Sequence, residues 1–388
     1  MLKSPFLCTL PFNFVSKPAA DCKPCCYYKL NKNEQKDTQL KSSVETAFSS
    51  STFKNIRKKM LNEEYLEGCI RCYDEEEAGL KSYGREMSEH LNKLQKQNSP
   101  PHTQKYNQPD TIIKGVQIAL SRECNLACRM CSSEFSTKWD LISRKLNRQI
   151  PQKRNIKFEN VISKAETYHS ADIWKILGGE PFIGKSFYNF LENIKNKDLS
   201  KKIFVINTNC TVFPNSKYLD ILLKAKKTIL HISIDGTENL GEYIRVYSKW
   251  RQVDKVASLW SELAEKHPSL SVYTRTTISI YNIHNIYSIF QWAKNKNIPF
   301  QFHMLYGPTY LRCWTLPENI RKHIYDYYLE FPDFHEYLSK LKKFLLRKQE
   351  GSIKGFLDFN DKMDKICGQD FFNVNSFYTR KDLEKAIC

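Results

Sequence analysis

Short β-rich runs alternate with helical patterns along the middle of this 388-residue chain, and that alternation limits the fold more than any other feature. The runs fall at 115–120, 172–177, 201–207, 228–234, 271–280 and 299–304, with helical patterns at 184–196, 214–227, 249–266 and 285–297 between several of them. A strand, a helix and a second strand in succession build a parallel βαβ unit, because parallel neighbours need a crossover of a dozen or more residues. The expected fold class is therefore α/β. Where such a fold closes as an α/β barrel, functional groups gather on the loops that follow the C-terminal ends of strands.

The loop after the first strand carries Cys124, Cys128 and Cys131, spaced C-x3-C-x2-C. Thiolates so spaced in a tight loop can converge on three irons of a cubane cluster. The fourth iron is then left without a protein ligand, and an open position is what separates a catalytic metal site from a structural one. The competing reading is a zinc knuckle or a set of reduced surface cysteines. Zinc sites pair C-x2-C with a second nearby pair or with histidines, and none follows closely after Cys131.

The 13 cysteines are clustered and odd in number, and no run of about 18 apolar residues occurs. Without a secretory signal this favours metal ligands in a reducing compartment, so a cytoplasmic location and no membrane association are expected. Sixty basic and 42 acidic residues give a net charge of +18. The basic residues are dispersed, whereas a nucleic-acid footprint is a concentrated patch or stripe, so solvated faces are the preferred reading over nucleic-acid binding. The polar, proline-punctuated segment 95–110 reads as a linker. It separates a cysteine-rich unit, 1–94, from the strand-bearing region 111–315, after which 316–388 forms a C-terminal extension, helical around 318–349 and then irregular. Cys367 and Cys388 have no partner at metal spacing and stay unassigned.

Further motifs stand at successive strand ends. Gly178, Gly179, Glu180 and Pro181 follow the second strand, Thr208 and Asn209 the third, and Ser233, Asp235 and Gly236 the fourth; Glu242, Tyr243, Arg245 and Trp250 come next. With the cysteine triplet and the apolar Met130 before its last member, this series resembles the radical S-adenosylmethionine (SAM) superfamily. The resemblance implies an open, partial (β/α)6 barrel over 111–315 and a 4Fe–4S cluster on Cys124, Cys128 and Cys131. It further implies that SAM chelates the open iron and is split by one electron into methionine and a 5'-deoxyadenosyl radical. By the same resemblance Gly178, Gly179 and Glu180 bind the methionyl amino group, and Arg245 binds the SAM carboxylate. The resemblance also makes Asn209, Ser233 and Asp235 candidates for ribose and carboxylate contacts and counts Met130 among the cofactor-binding positions. On their own, Asn209, Ser233 and Asp235 are as readily helix caps or turn formers, and Arg245 a solvated surface residue. His231 is expected to be packed or pore-facing, and Asn282 is a weaker candidate for the barrel mouth.

Before the linker stand Cys8, the run Cys22, Cys25 and Cys26, and the pair Cys69 and Cys72. A C-x2-C pair with two upstream cysteines closes a four-thiolate shell, as in a zinc ribbon or a fully ligated 4Fe–4S cluster, and spacing does not separate the two. The pattern resembles the twitch domain, a shortened relative of the SPASM domain. That resemblance implies an auxiliary 4Fe–4S cluster on Cys8, Cys25, Cys69 and Cys72, with Cys26 as the alternative to Cys25. Here the segment precedes the barrel, whereas in better-known members it follows. The glycine usual before Pro-Cys-Cys is also missing, and Ala19-Ala20-Asp21-Cys22 stands there instead.

The expected function is that of a radical SAM enzyme abstracting a hydrogen atom from a peptide or small molecule, with the auxiliary cluster serving electron transfer. A flavodoxin or ferredoxin is the expected electron donor. The rival is a zinc-binding, basic nucleic-acid-binding protein without catalytic activity, whose aromatic stacking would come from 23 Phe and 21 Tyr. A third reading keeps the fold as a cluster-binding scaffold without catalysis.

Overall fold

The computed structural model describes residues 6–17, 21–38, 44–94, 113–150, 171–196 and 198–387. The expected linker 95–110 and Cys388 lie outside them. In chain order, strand β1 (Phe14–Lys17) leads to helices α1 (Ile70–Glu77) and α2 (Tyr83–Leu94). Next come β2 (Gly115–Ala119), α3 (Trp139–Lys145), β3 (Ile173–Leu177), α4 (Lys185–Ile194), β4 (Ile203–Thr208), α5 (Ser216–Leu223) and β5 (Lys227–Ile232). Then follow α6 (Glu238–Ile244), α7 (Trp250–Lys266), β6 (Leu270–Thr274), β7 (Thr276–Ile278), α8 (Ile286–Asn295) and β8 (Phe302–Met304). The chain closes with α9 (Glu318–Leu329), α10 (His335–Leu346) and α11 (Ile353–Cys367) and two shorter helical turns.

Strands β1 to β6 form one parallel sheet in sequence order. Strands β6 and β7 are one bent strand. Arg275, at the bend, donates its N–H to the Ile232 carbonyl (2.7 Å), while Thr274 and Thr276 donate to Pro299 and Gln301 (3.1 and 3.0 Å), carrying the sheet on to β8. Six strands of the middle region thus wrap as an open parallel barrel, as expected. The strands are rich in β-branched and aromatic residues because both faces are covered. Helices follow from apolar spacing: α7 buries Val253, Val256, Ala257, Trp260 and Ser261, a stripe at i, i+3, i+4, i+7 and i+8.

Two cores result. The outer face of the sheet, including Val116, Trp174, Phe204 and Leu230, packs under the helices. The inner face carries Ile173, Ile203, Val205 and Ile229, and these pack against Leu10, Phe12, Phe14, Tyr83, Met87 and Leu91. The cysteine-rich segment therefore lends β1 to the sheet and plugs the barrel floor with α2. Gly115 permits this docking, since a Cβ there would stand 2.4 Å from the Phe14 ring.

The C-terminal region departs from expectation beyond residue 349. The stretch taken as irregular contains α11, capped by Ser352, whose side chain accepts from the Gly355 N–H, and ended by Gly368 in the left-handed region at φ 65°. No helix among the described residues is long and apolar enough to cross a membrane.

Candidate functional site

The cysteine triplet leaves β2 at the C-terminal edge of the sheet and is held by backbone bonds from several neighbouring loops. The Gly179 and Glu180 N–H groups donate to the Ser121 and Glu123 carbonyls at 2.8 and 2.7 Å. A Cβ on Gly178 or Gly179 would lie 2.1 and 2.0 Å from those same oxygens, so only glycine lets the two loops approach this closely. On the other side, Ala127 and Cys128 pair antiparallel with Val246 and Arg245. Trp139 Nε1 donates to the Cys128 carbonyl at 2.9 Å, and Ser136 Oγ to that of Leu126 at 2.6 Å.

The three thiols are half-buried. Burial pushes Cys128 up to about 12 and Cys131 to about 11, and also raises Cys124. A cationic centre among them would reverse that tendency, since metal coordination deprotonates a thiol. Three polar groups already point at the sulfurs: the Leu126 N–H to Cys124 Sγ (3.5 Å), Asn209 Nδ2 to the same sulfur (3.8 Å), and Arg245 Nη1 to Cys128 Sγ (3.7 Å). Such donors suit sulfur atoms carrying negative charge.

The remaining sequence-predicted residues gather at this mouth. Glu180 is turned inward, its carboxylate accepting from Phe182 N (3.1 Å), Thr208 Oγ1 (2.8 Å) and Asn209 N (2.6 Å). Burial raises its carboxyl to about 7, with those three bonds pulling the other way. Arg245 forms an ion pair with Asp235 (2.6 Å), whose other oxygen accepts from the Thr277 N–H (2.7 Å). Asn209 bridges Asn125 and Thr211, and Met130 is half-buried against the main core. Ser233 continues the ladder through its N–H to Thr208 (2.9 Å). Asn282 is a structural bracket, donating to the Asp235 and Thr277 carbonyls at 2.8 and 3.0 Å.

One element of this site has no signature in the sequence. Arg129, between two of the cysteines and 1 % exposed, stacks on Tyr243 at 3.7 Å from the ring centroid. It donates to the Tyr243 carbonyl (3.0 Å), to Gln369 (3.1 Å) and to Asp364 of α11 (2.6 Å). Asp364 also accepts from Tyr243 Oη (2.9 Å), Asn360 (2.8 Å) and the Phe371 N–H (3.1 Å). The C-terminal extension thereby clamps the cysteine loop from behind.

At the opposite end, Cys8, Cys25, Cys69 and Cys72 line one small cavity of about 30 Å³ walled by Leu10, Pro11, Tyr28 and Met60. Gly84 leaves room for the sulfurs, since a Cβ there would stand 3.3 Å from Cys8 Sγ and 3.7 Å from Cys72 Sγ. Burial, then its neighbours Cys72, Cys26, Cys69 and Cys8, pushes the Cys25 thiol well up. Cys26 does not line the cavity; it lies near Lys175 and Tyr83 of the barrel interior. Cys22 is buried in the main core. Among the described residues no three His, Cys, Asp or Glu side chains close on one point as ligands of a single metal ion, whereas a cubane cluster takes each thiolate on a different iron.

Between the two cysteine groups the barrel interior is polar. Tyr83 Oη donates to Gln117 (2.8 Å), and Gln117 to Ser16 (2.7 Å). Glu86 lies 3.0 Å from Arg275 and 3.3 Å from His231, which burial lowers to about 4 and so keeps neutral. Lys175, 5 % exposed, places its ammonium 4.1 Å from the Tyr83 ring centroid.

Residues 118–309 match the family model of the radical SAM superfamily. That region is a radical SAM domain. Radical SAM enzymes use a 4Fe–4S cluster and SAM. Among solved structures the chain is similar to native anSMEcpe with bound AdoMet and the Cp18Cys peptide, at 17 % identity and TM-score 0.37, covering 66 % of this chain and 67 % of that one. It is also similar to Streptococcus suis SuiB bound to precursor peptide SuiA, at 16 % identity and TM-score 0.39, covering 87 % and 72 %. Against native anSMEcpe with bound AdoMet alone, at 18 % identity and TM-score 0.38, the cover is 57 % and 62 %. The chain spans roughly two thirds of the length of these proteins. No curated protein sequence matches it.

Proposed function

We propose that the chain is a SAM-cleaving enzyme whose 4Fe–4S cluster is held by Cys124, Cys128 and Cys131. When bound, that cluster would supply the one-electron reduction that splits SAM into methionine and a 5'-deoxyadenosyl radical, the chemistry of hydrogen-atom abstraction from a peptide or small-molecule substrate. The observation that carries this reading is the position of the triplet, on the loop after β2 at the C-terminal edge of the sheet, inside the region matched to the family. The chain's own task is to position and protect, since the cofactor carries the difficult chemistry. Gly178 and Gly179 seat the loop after β3 on the cysteine loop, and Arg245 and Asn209 donate toward its sulfurs.

Cys8, Cys25, Cys69 and Cys72 are proposed to hold an auxiliary 4Fe–4S cluster; their common cavity supports this set over one containing Cys26. Four thiolates complete the shell of a cluster, which favours electron transfer there over substrate ligation. The test is 5'-deoxyadenosine formation by the anaerobically reconstituted protein with SAM and dithionite, followed by chromatography. Wild type is expected to form it and Cys128→Ala to form none. Equal background in both would refute the reading.

A further inference from the structure

Resting on that reading, the electron consumed in SAM cleavage must enter from outside the chain, and the helices that hold the cysteine loop mark where. Helix α3 contacts the loop through Trp139 on Cys128, and α11 through Asp364 on Arg129. Their outer faces meet at a shallow, open cavity of about 400 Å³ lined by Lys145, Leu146, Asn147, Lys362, Lys365 and Ile366. Lys145, Lys362 and Lys365 are exposed, while Leu146 and Ile366 form a half-buried apolar floor. On α11, Asp364 and Asp361 are engaged elsewhere, on Arg129 (2.6 Å) and Arg380 (2.7 Å), while the exposed Asp358 stands one turn before Lys362. Among the described residues the three lysines thus outnumber the carboxylates on this face, and they stand on the two helices that touch the cysteine loop.

We infer that this face docks an acidic one-electron carrier protein of the flavodoxin or ferredoxin class. A basic rim around a small apolar floor complements an acidic surface with an apolar cofactor edge, and charge of this kind chiefly raises the rate of encounter. One electron leaves the reduced carrier, which is oxidised by one electron, and is taken up at the cluster on Cys124, Cys128 and Cys131. No bond forms or breaks at the surface.

The full-length reconstituted enzyme and its Lys145→Glu/Lys362→Glu/Lys365→Glu variant are assayed for 5'-deoxyadenosine with two reductants, dithionite and a reduced flavodoxin held below saturation. With flavodoxin the variant is expected to lose at least about tenfold in rate, and wild type to slow steeply between about 0.05 and 0.3 M salt. With dithionite the two proteins are expected to match. An unchanged flavodoxin rate, or equal loss with both reductants, would overturn the docking assignment. Lysine-dependent binding of a single-stranded oligonucleotide with flavodoxin kinetics intact would reassign the face to nucleic acid. Absence of product from wild type with dithionite would overturn the SAM-cleavage reading and the docking surface with it, so the dithionite arm decides the first and the flavodoxin arm the second.

Discussion

Replacing Asp364 with Asn removes the charge that the buried Arg129 guanidinium faces across 2.6 Å, on a pair whose side chains are 0 % and 14 % exposed. Taking one partner from a buried pair strands the other, at a cost of about 3–5 kcal/mol. Unfolding entropy of about 2.1 cal/mol/K per residue near 60 °C is about 0.8 kcal/mol/K for 388 residues. The Asp364→Asn protein should therefore melt about 4–6 °C below wild type. Because Arg129 lies between two ligand cysteines, the loss should also reach the cluster, with reduced iron occupancy at the triplet and an unaltered auxiliary site. Adding Arg129→Met should recover at least about half of the lost stability, since the stranded charge is gone. Thermal melting followed by circular dichroism and iron analysis measure both effects. A single variant within about 1 °C of wild type, or no recovery in the double variant, would refute the clamp.

Cys25→Ala should lower iron from about eight to about four per chain while Cys26→Ala keeps it; the reverse pattern would assign the auxiliary site to Cys26. Gly179→Ala places a Cβ 2.0 Å from the Glu123 carbonyl oxygen; overpacking of this kind costs about 1–3 kcal/mol. That displacement should abolish the response of the cluster's resonance signal to SAM, which electron paramagnetic resonance would test. Burial lowers His231 and His284 to about 4 from 6.5, so the unfolded chain takes up protons below pH 6.5 that the folded chain refuses. Stability should fall as pH drops from 6.5 toward 4, by at most about 3 kcal/mol per histidine; the urea midpoint measures it, and His231→Gln should flatten the slope.

The barrel strands were legible because runs such as Ile203 to Thr208 are apolar and bounded by polar turns, and the cysteine loop because its spacing is local. Helix α11 was overlooked although Ile353, Phe356, Leu357, Asn360 and Met363 repeat at helical spacing; the Asp and Lys between them mask the stripe. Strand β1 spans only four residues and gains its partner from residue 115 onward, so nothing within it marks it as part of the sheet. The Arg129–Asp364 contact joins positions 235 residues apart, and no local pattern encodes it. Glu180 shows the complementary limit: its motif fixed the loop, while the inward turn of its carboxylate depends on Thr208 and Asn209, a strand away.

Electron paramagnetic resonance of the reduced, anaerobically reconstituted protein, with and without SAM, in wild type and in the Cys124→Ala/Cys128→Ala/Cys131→Ala variant, bears most directly on the two-cluster assignment. Wild type is expected to show a cluster signal that shifts with SAM, and the triple variant to keep a second signal indifferent to SAM. A well-folded wild-type preparation containing zinc and no iron–sulfur signal would overturn it.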